Sequence, residues 1–418
     1  MKIYVSQNLK ELAQLFSEHG KLFIVGGYVR NSLLGFTDTD IDLASKLAPE
    51  KIISILEGTK FEITEKILKN GYVKIKCGDE YFEHTTFRKD NYYSGGTHQV
   101  HSVEYLQDIR QDAMRRDFTI NAIYYDILSE KVVDIYSGIL DLKNSKVRTI
   151  EVPGYVLAHD GVRILRMIKL ASQLNFKVDF ATLVAARKYA HLLSDISQQR
   201  KFAELMSILN SSKRYPISKK TAHLKGLGYF NDLHLWNSMF ITTSHVRLKM
   251  VKKVSPENVF YGFLIDVIDA VRPDCIEYYL KDLLGDKGFC QPASFINKCN
   301  SIICGYYDAI NKENNKQFFF RHYNDFEKIS ELLIVKSKKL YAKYKFFYYY
   351  IQKHKLPVSV RELKINGDDI KQHFKTIPQK KYNVVLQGLL DKVFEGKIKN
   401  EREVLIEELK NDFPDSNN

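Results

Sequence analysis

The chain has 418 residues, 44% hydrophobic and 27% charged, a globular composition too long for one core and expected to divide into two to four domains. Its 63 basic against 50 acidic residues leave +13 at pH 7, which favours a polyanionic partner. No apolar run approaches the length of about 18 residues that a spanning helix needs. The odd set Cys77, Cys275, Cys290, Cys299 and Cys304, without a Cys-x-x-Cys pair, points away from a disulfide framework or zinc site and toward reduced, partly buried thiols. Met1 to Gln7 has no long apolar core, so a cytoplasmic location and no membrane contact are expected.

The first strong pattern is Leu22 to Val25, a buried strand candidate, followed by Gly26 and Gly27. The glycine pair allows a tight turn and a close approach to a ligand. A helix from roughly Tyr28 to Leu34, ending at Gly35, would aim its N-terminal amides at a phosphate. Asp40-Ile41-Asp42 then reads as a strand whose two carboxylates share a face. Such a pair repels unless a cation neutralises it, and Mg2+ suits oxygen ligands completed by water and phosphates. Alone, a glycine pair reads as an ordinary turn and Asp-x-Asp as a solvated loop. Together, in this order, they propose nucleotide triphosphate chemistry at a two-metal site.

Further strands are expected at Tyr72 to Lys76, Tyr81 to Phe87 and Val132 to Ile135, making this half mixed α/β. Glu83 is either a third carboxylate beside Asp40 and Asp42 or half of a strand-edge salt bridge. Lys89 to His101 reads as a Gly-, Tyr- and Asn-rich loop. Arg115-Arg116-Asp117 precedes an expected apolar helix, with Asp117 at a favoured N-cap position. Arginines oppose the dipole there, and a triphosphate would explain them.

Beyond Val156, helical periodicity takes over at Val162 to Leu174, Phe180 to Leu193, Gln198 to Leu209 and finally Val404 to Leu409. Asp160, Arg163, Arg166 and Lys169 recur at three-residue steps as one polar stripe, either a salt-bridged helix surface or a device offering donors and acceptors to a base edge. Lys336 to Lys355 mixes Lys, Tyr and Phe. Core packing with lysine stems as cover is preferred over RNA stacking.

The glycine pair with Val29-Arg30, the Asp40/Asp42 pair, Arg115-Arg116-Asp117 and the Asp160/Arg163 helix closely resemble class II tRNA nucleotidyltransferases. These are the CCA-adding enzymes of the DNA polymerase β-like nucleotidyltransferase superfamily, which includes bacterial poly(A) polymerases. The resemblance spans residues 20 to 210 and resumes at Leu363 to Ile370 and Leu389 to Asn400, while 215 to 330 carry no family motif.

The resemblance implies an α+β protein. A polymerase β-like head of mixed sheet and helices (1–150) would be followed by an all-α neck (151–215), body (216–330) and RNA-binding tail (331–418). It further implies Mg2+ on Asp40 and Asp42, and Glu83 stays the candidate third member of the catalytic set. Gly26, Gly27, Arg30, Arg115, Arg116 and Asp117 would bind the nucleotide; Asp160 and Arg163 would read its base, with Arg166 and Lys169 nearby. The implied reaction is template-independent addition of CMP, CMP and AMP to a tRNA 3′ end from CTP and ATP, the 3′-hydroxyl attacking the α-phosphorus and releasing pyrophosphate. The helical part would hold the tRNA acceptor stem and elbow. Departures from the family pattern are Asn31 for Asp, His159 for Glu, Lys169-Leu170 for Arg-Phe, and Ser94-Gly95-Gly96-Thr97-His98 where Asp-Gly-Arg is common. The competing readings are an A-adding enzyme or poly(A) polymerase, and a non-catalytic RNA-binding protein.

Overall fold

The computed structural model describes residues 3–36, 40–92, 100–239, 245–271, 293–311, 322–374 and 377–414. The chain divides into two compact units, Met1–Arg247 with Ala270–Cys290, and Leu248–Asp269 with Gln291–Asn418.

The first unit opens with α1 (Gln7–Phe16), β1 (Phe23–Val25), α2 (Gly27–Leu33), β2 (Ile41–Ser45), α3 (Pro49–Leu56) and β3 (Glu62–Ile67). Next come β4 (Tyr72–Cys77), β5 (Glu80–Thr86), β6 (Arg88–Tyr92), β7 (Val100–Tyr105), α4 (Ile109–Met114), β8 (Ile123–Asp126) and β9 (Lys131–Asp134). Seven strands form one sheet in the order β3-β4-β5-β2-β1-β8-β9, with β2 and β5 parallel and the other neighbours antiparallel. All three residues of β1 are buried, as its unbroken apolar run requires at the sheet centre. Asp42 therefore sits between Val25 on β1 and Glu83 on β5.

Two expectations fail here. Lys89 to His101 is not all loop: β6 and β7 form an antiparallel hairpin, Arg88 pairing with Tyr105 and Asn91 with Ser102, and only 93–99 lie outside the described residues. Nor does an apolar helix follow Asp117. Thr119–Asn121 makes a single 3-10 turn and the chain enters β8, where Val25 pairs with Tyr124. All four residues of β8 are buried, so no period of two was visible, and its Ile-Tyr-Tyr content favours a strand. Arg115 and Arg116 instead follow the end of α4, where the helix dipole welcomes cations.

The unit continues through α5 (Gly138–Lys143), β10 (Lys146–Val147), α6 (Pro153–His159), α7 (Val162–Gln173), β11 (Lys177–Val178), α8 (Phe180–Lys188), α9 (Gln198–Leu209), α10 (Ala222–Asp232) and α11 (Trp236–Met239). The helix expected at Phe180 to Leu193 breaks at Tyr189 into α8 and a 3-10 segment, Ala190–Asp195. The α7 helix packs on α9 and α10 and buries most of its residues, which leaves little of it as solvated surface.

The second unit holds most of α12 (Val259–Val271), with α13 (Ala293–Asn311), α14 (Phe326–Lys336), α15 (Lys338–His354), α16 (Gly367–His373), α17 (Tyr382–Phe394) and α18 (Arg402–Asp412). The Asp266 carboxylate accepts the backbone N–H groups of Lys249, Met250 and Val251. The Asn366 side chain accepts from the N–H groups of Asp368 and Asp369 while Asp369 accepts from Asn366 N–H, a reciprocal cap that starts α16. Core packing describes only part of the Lys- and Tyr-rich helix α15. Tyr344 and Ile351 are buried, but Phe346, Tyr349 and Tyr350 face solvent. Cys77 and Cys299 are buried free thiols and Cys304 is half-buried; Cys275 and Cys290 lie outside the described residues.

Gly138 begins α5 against the turn that follows Asp117. A Cβ there would come within 2.3 Å of the Thr119 carbonyl oxygen and 2.8 Å of Ile123 Cγ1. A backbone oxygen cannot rotate away, so Gly138→Ala should destabilise the first unit by about 2 kcal/mol, lowering its thermal midpoint by several degrees in calorimetry.

Candidate active site

The site begins at the turn leaving β1. Gly26 has φ 79° and ψ −137°, a conformation open essentially to glycine, and a Cβ there would stand 3.1 Å from Asp42 Oδ2. The turn thus carries the backbone against the carboxylate on the adjacent strand. Gly26, Gly27, Arg30 and Asp42 line a cavity of about 810 Å3 with Arg115, Arg116, Asp117, Asp160, Arg163, Arg166 and Lys169.

One buried carboxylate organises the cations. Asp112, on α4, accepts from Arg115 Nε at 2.8 Å and Arg116 Nη2 at 3.3 Å, and from the Tyr124 hydroxyl at 2.6 Å. Arg116 Nε in turn donates to Tyr124 Oη at 2.9 Å, and Arg115 Nη1 lies 3.7 Å from Asp90 on β6. Burial alone would raise the Asp112 pKa, but the Arg115 and Arg116 charges outweigh it and hold the carboxyl at about 2.

A second set joins α7 to the segment after Arg116. Arg166 Nε donates to Asp117 Oδ2 at 2.7 Å, and Asp117 Oδ1 accepts from Phe118 N–H and Asn121 Nδ2. Asp117 is therefore not an N-cap. Its burial favours the neutral acid, but Arg166 and Arg163 hold it well below the usual carboxylate range. Arg163 Nη1 donates to the Val156 carbonyl at 3.1 Å and Nη2 to the Arg115 carbonyl at 3.0 Å. Asp160 ends α6, accepts from Val162 N–H at 3.1 Å and approaches Arg200 at 3.6 Å. Lys169 pairs with Glu204 at 2.7 Å. The stripe expected on α7 is thus neither a plain salt-bridged surface nor fully solvent-facing: Asp160 and Arg163 are buried in the cavity wall.

A family model described as Poly A polymerase head domain matches residues 22–148, and one described as Probable RNA and SrmB-binding site of polymerase A matches 175–220. The CCA-adding enzyme of Ligilactobacillus salivarius is 28% identical over 400 residues, covering 93% of this chain and 92% of that protein. That of Lactococcus lactis subsp. cremoris (strain SK11) is 30% identical over 281 residues, covering 61% of this chain and 68% of that protein. The chain belongs to the CCA-adding enzyme family. The crystal structure of the Bacillus stearothermophilus CCA-adding enzyme in complex with CTP shares its fold, with TM-score 0.68 over 97% of each chain at 20% identity.

In this family member, eleven of the thirteen residues expected at the site line one cavity. Asp40, just before β2, and Glu83 do not. Glu83 stands beside Asp42 in register and pairs with Lys74 at 3.0 Å, and because β5 lies inside the sheet this is no edge salt bridge. His159 closes α6, bonded to the Tyr155 carbonyl, outside the cavity lining. Arg88, Asp90, Asn121, Arg200, Lys213, Arg214 and Tyr215 also line the cavity and were not anticipated. Alternation of Arg88 and Asp90 on one strand face, and the four-residue step from Asp117 to Asn121, were readable signals. Nothing local marked Tyr215.

Asp112 binds its proton more weakly folded than at its ordinary value of 3.8. Its stabilising contribution is therefore complete above about pH 4 and lost as pH falls through about 2. Asp112→Asn should cost about 2 kcal/mol at pH 7, with the gap to wild type closing toward pH 2 in denaturant melts followed across pH.

Proposed function

We propose that this nucleotidyltransferase builds the CCA end of tRNA, adding CMP, CMP and AMP from CTP and ATP without a nucleic-acid template. The observation that carries the reading is one cavity joining a strand carboxylate, an arginine pair and a buried Asp/Arg pair on a helix. Each serves a distinct part of the reaction. The same reading divides the chain into a catalytic head (1–150), a neck (151–215), a body (216–330) and an RNA-binding tail (331–418).

The residues around Asp42 suit a divalent cation. Solvent reaches Asp42 through the cavity, yet the surrounding walls withdraw enough water to push its carboxyl above the ordinary range; Arg116 opposes this, while Glu83 and Asp40 add like charge. A cation would relieve that cluster. Among the described residues no three His, Cys, Asp or Glu side chains gather closely enough to hold a metal by themselves. This suits Mg2+ on Asp40 and Asp42, which takes its remaining ligands from water and phosphates. When bound, Mg2+ would polarise the α-phosphate and favour the ionised 3′-hydroxyl.

The chain's own groups do the rest. Gly26 and Gly27 let the triphosphate approach the backbone beside Asp42, and Arg115 and Arg116, already oriented by Asp112, meet its negative charge without reorganising. Asp160 and Arg163 present acceptor and donors to the base edge. Anchoring of Arg163 to two backbone carbonyls fixes the plane of its guanidinium, so a base is tested against a rigid pattern. Placing the hydroxyl and the α-phosphorus together supplies the remaining advantage. The basic surplus suits the RNA acceptor. Free thiols at Cys77 and Cys299 fit the cytoplasm, and no helix among the described residues is long and apolar enough to cross a membrane.

With tRNA lacking its 3′ end, CTP alone should give two additions, ATP alone none, and both together the complete end on sequencing gels. Long tails from ATP alone would make the protein a poly(A) polymerase instead. Asp42→Asn should lower incorporation by about 1,000-fold or more while tRNA affinity stays within a few-fold; loss of both together would indicate misfolding or a purely RNA-binding site. Arg163→Ala should relax the choice between CTP and ATP more than it weakens tRNA binding. Unchanged selectivity would make Arg163 a structural anchor only.

A further inference from the structure

The geometry points to Tyr215 as a further nucleotide-binding residue, donating its phenolic O–H to an anionic oxygen of the bound triphosphate. The argument rests on which atoms can donate. Arg30 Nε lies 3.0 Å from Asn31 Oδ1, and because a guanidinium has donors only, the Asn31 oxygen must face it. That turns the Asn31 amide nitrogen toward Tyr215, whose Oη it meets at 3.2 Å. Arg30 Nη2 reaches the same oxygen at 3.3 Å. Both neighbours of Oη are obligate donors, so they occupy its two acceptor sites.

The hydroxyl hydrogen is left to point elsewhere, and among the described residues no acceptor receives it. Tyr215 lines the cavity with Arg30, Lys213 and Arg214, a cationic quarter that favours an anionic acceptor over a neutral one. The ring is held in place. Phe36 stacks on it with centroids 5.5 Å apart at 13°, and the Arg214 guanidinium lies 5.2 Å from its centre. The Tyr215 backbone N–H donates to Ser218 Oγ, whose hydroxyl donates to the Gln173 carbonyl at the end of α7. A side chain fixed on this many sides holds its hydroxyl ready before the nucleotide arrives.

This inference rests on the nucleotide-binding reading of the cavity. Tyr215→Phe removes the hydroxyl and keeps the stacked ring. In incorporation assays on tRNA lacking its 3′ end, KM for CTP and for ATP should rise about tenfold, the size expected for one hydrogen bond to a charged group. KM for tRNA should stay within about twofold. Asn31→Asp supplies a competing acceptor for the Tyr215 O–H and should raise KM for both nucleotides in the same direction. Equilibrium binding of CTP to the full chain without tRNA should weaken by a similar factor in both variants. Unchanged nucleotide KM and CTP affinity in Tyr215→Phe, or a drop in thermal midpoint with no change in either, would overturn the assignment. A wild-type protein that binds CTP through Tyr215 yet transfers nothing to tRNA would overturn the transferase reading and leave this one standing.

Discussion

A fully buried carboxylate, Asp112, holds the cations on which the cavity depends. Burying a charge is unfavourable unless it is paired and hydrogen-bonded, and Asp112 meets both conditions through Arg115, Arg116 and Tyr124. The arrangement fixes two guanidinium groups in space. It also fixes the peptide between them, and the Arg115 carbonyl is what Arg163 grips from α7, 48 residues later. The groups that would meet phosphate and those that would meet a base therefore belong to one connected network. A displacement at Asp112 would reach both.

The same network sorts the charges by task. Asp117 pairs with Arg166, and Lys169 with Glu204, contacts that tie α7 to the segment after Arg116 and to α9. Asp42 is treated in the opposite way. It is open to solvent, yet the walls around it hold back water and Glu83 and Asp40 add like charge, which together raise its pKa against the opposing Arg116 charge. Asp112 and Asp117 are satisfied by the chain's own arginines, whereas the carboxylate against Gly26 would be met by the cation proposed above. Arg30, which lines the same cavity, is positioned by Asn31, Asn121 and Tyr215.

Much of this was legible in the amino-acid order. The strand, glycine turn and short helix appear where the residue types demand them, because each local choice there agrees with the global fold, and Asp42 falls on the next strand while Asp40 precedes it. The helices α7 and α9 match their expected spans closely, since their apolar periodicity is strong. Misreadings came where local signals conflict with burial. Asp117 looks like a cap, but its carboxylate is taken by Arg166, and the segment after it becomes β8 because β1 offers an unpaired edge. The aromatic helix α15 reads as core from composition, yet its partners cover only one face.

The sequence by itself determined the chemistry available: a backbone able to approach a ligand, a strand carboxylate beside it, arginines in a cluster and a polar stripe on a helix. These are local properties of residue type and period. Which of them share a cavity, which charges the chain neutralises and which it leaves exposed to a ligand were decided only by tertiary structure. Residues far apart in sequence, such as Arg163 with the Arg115 carbonyl or Tyr215 with Arg30, meet through packing of helices on the sheet. No spacing along the chain encodes those distances.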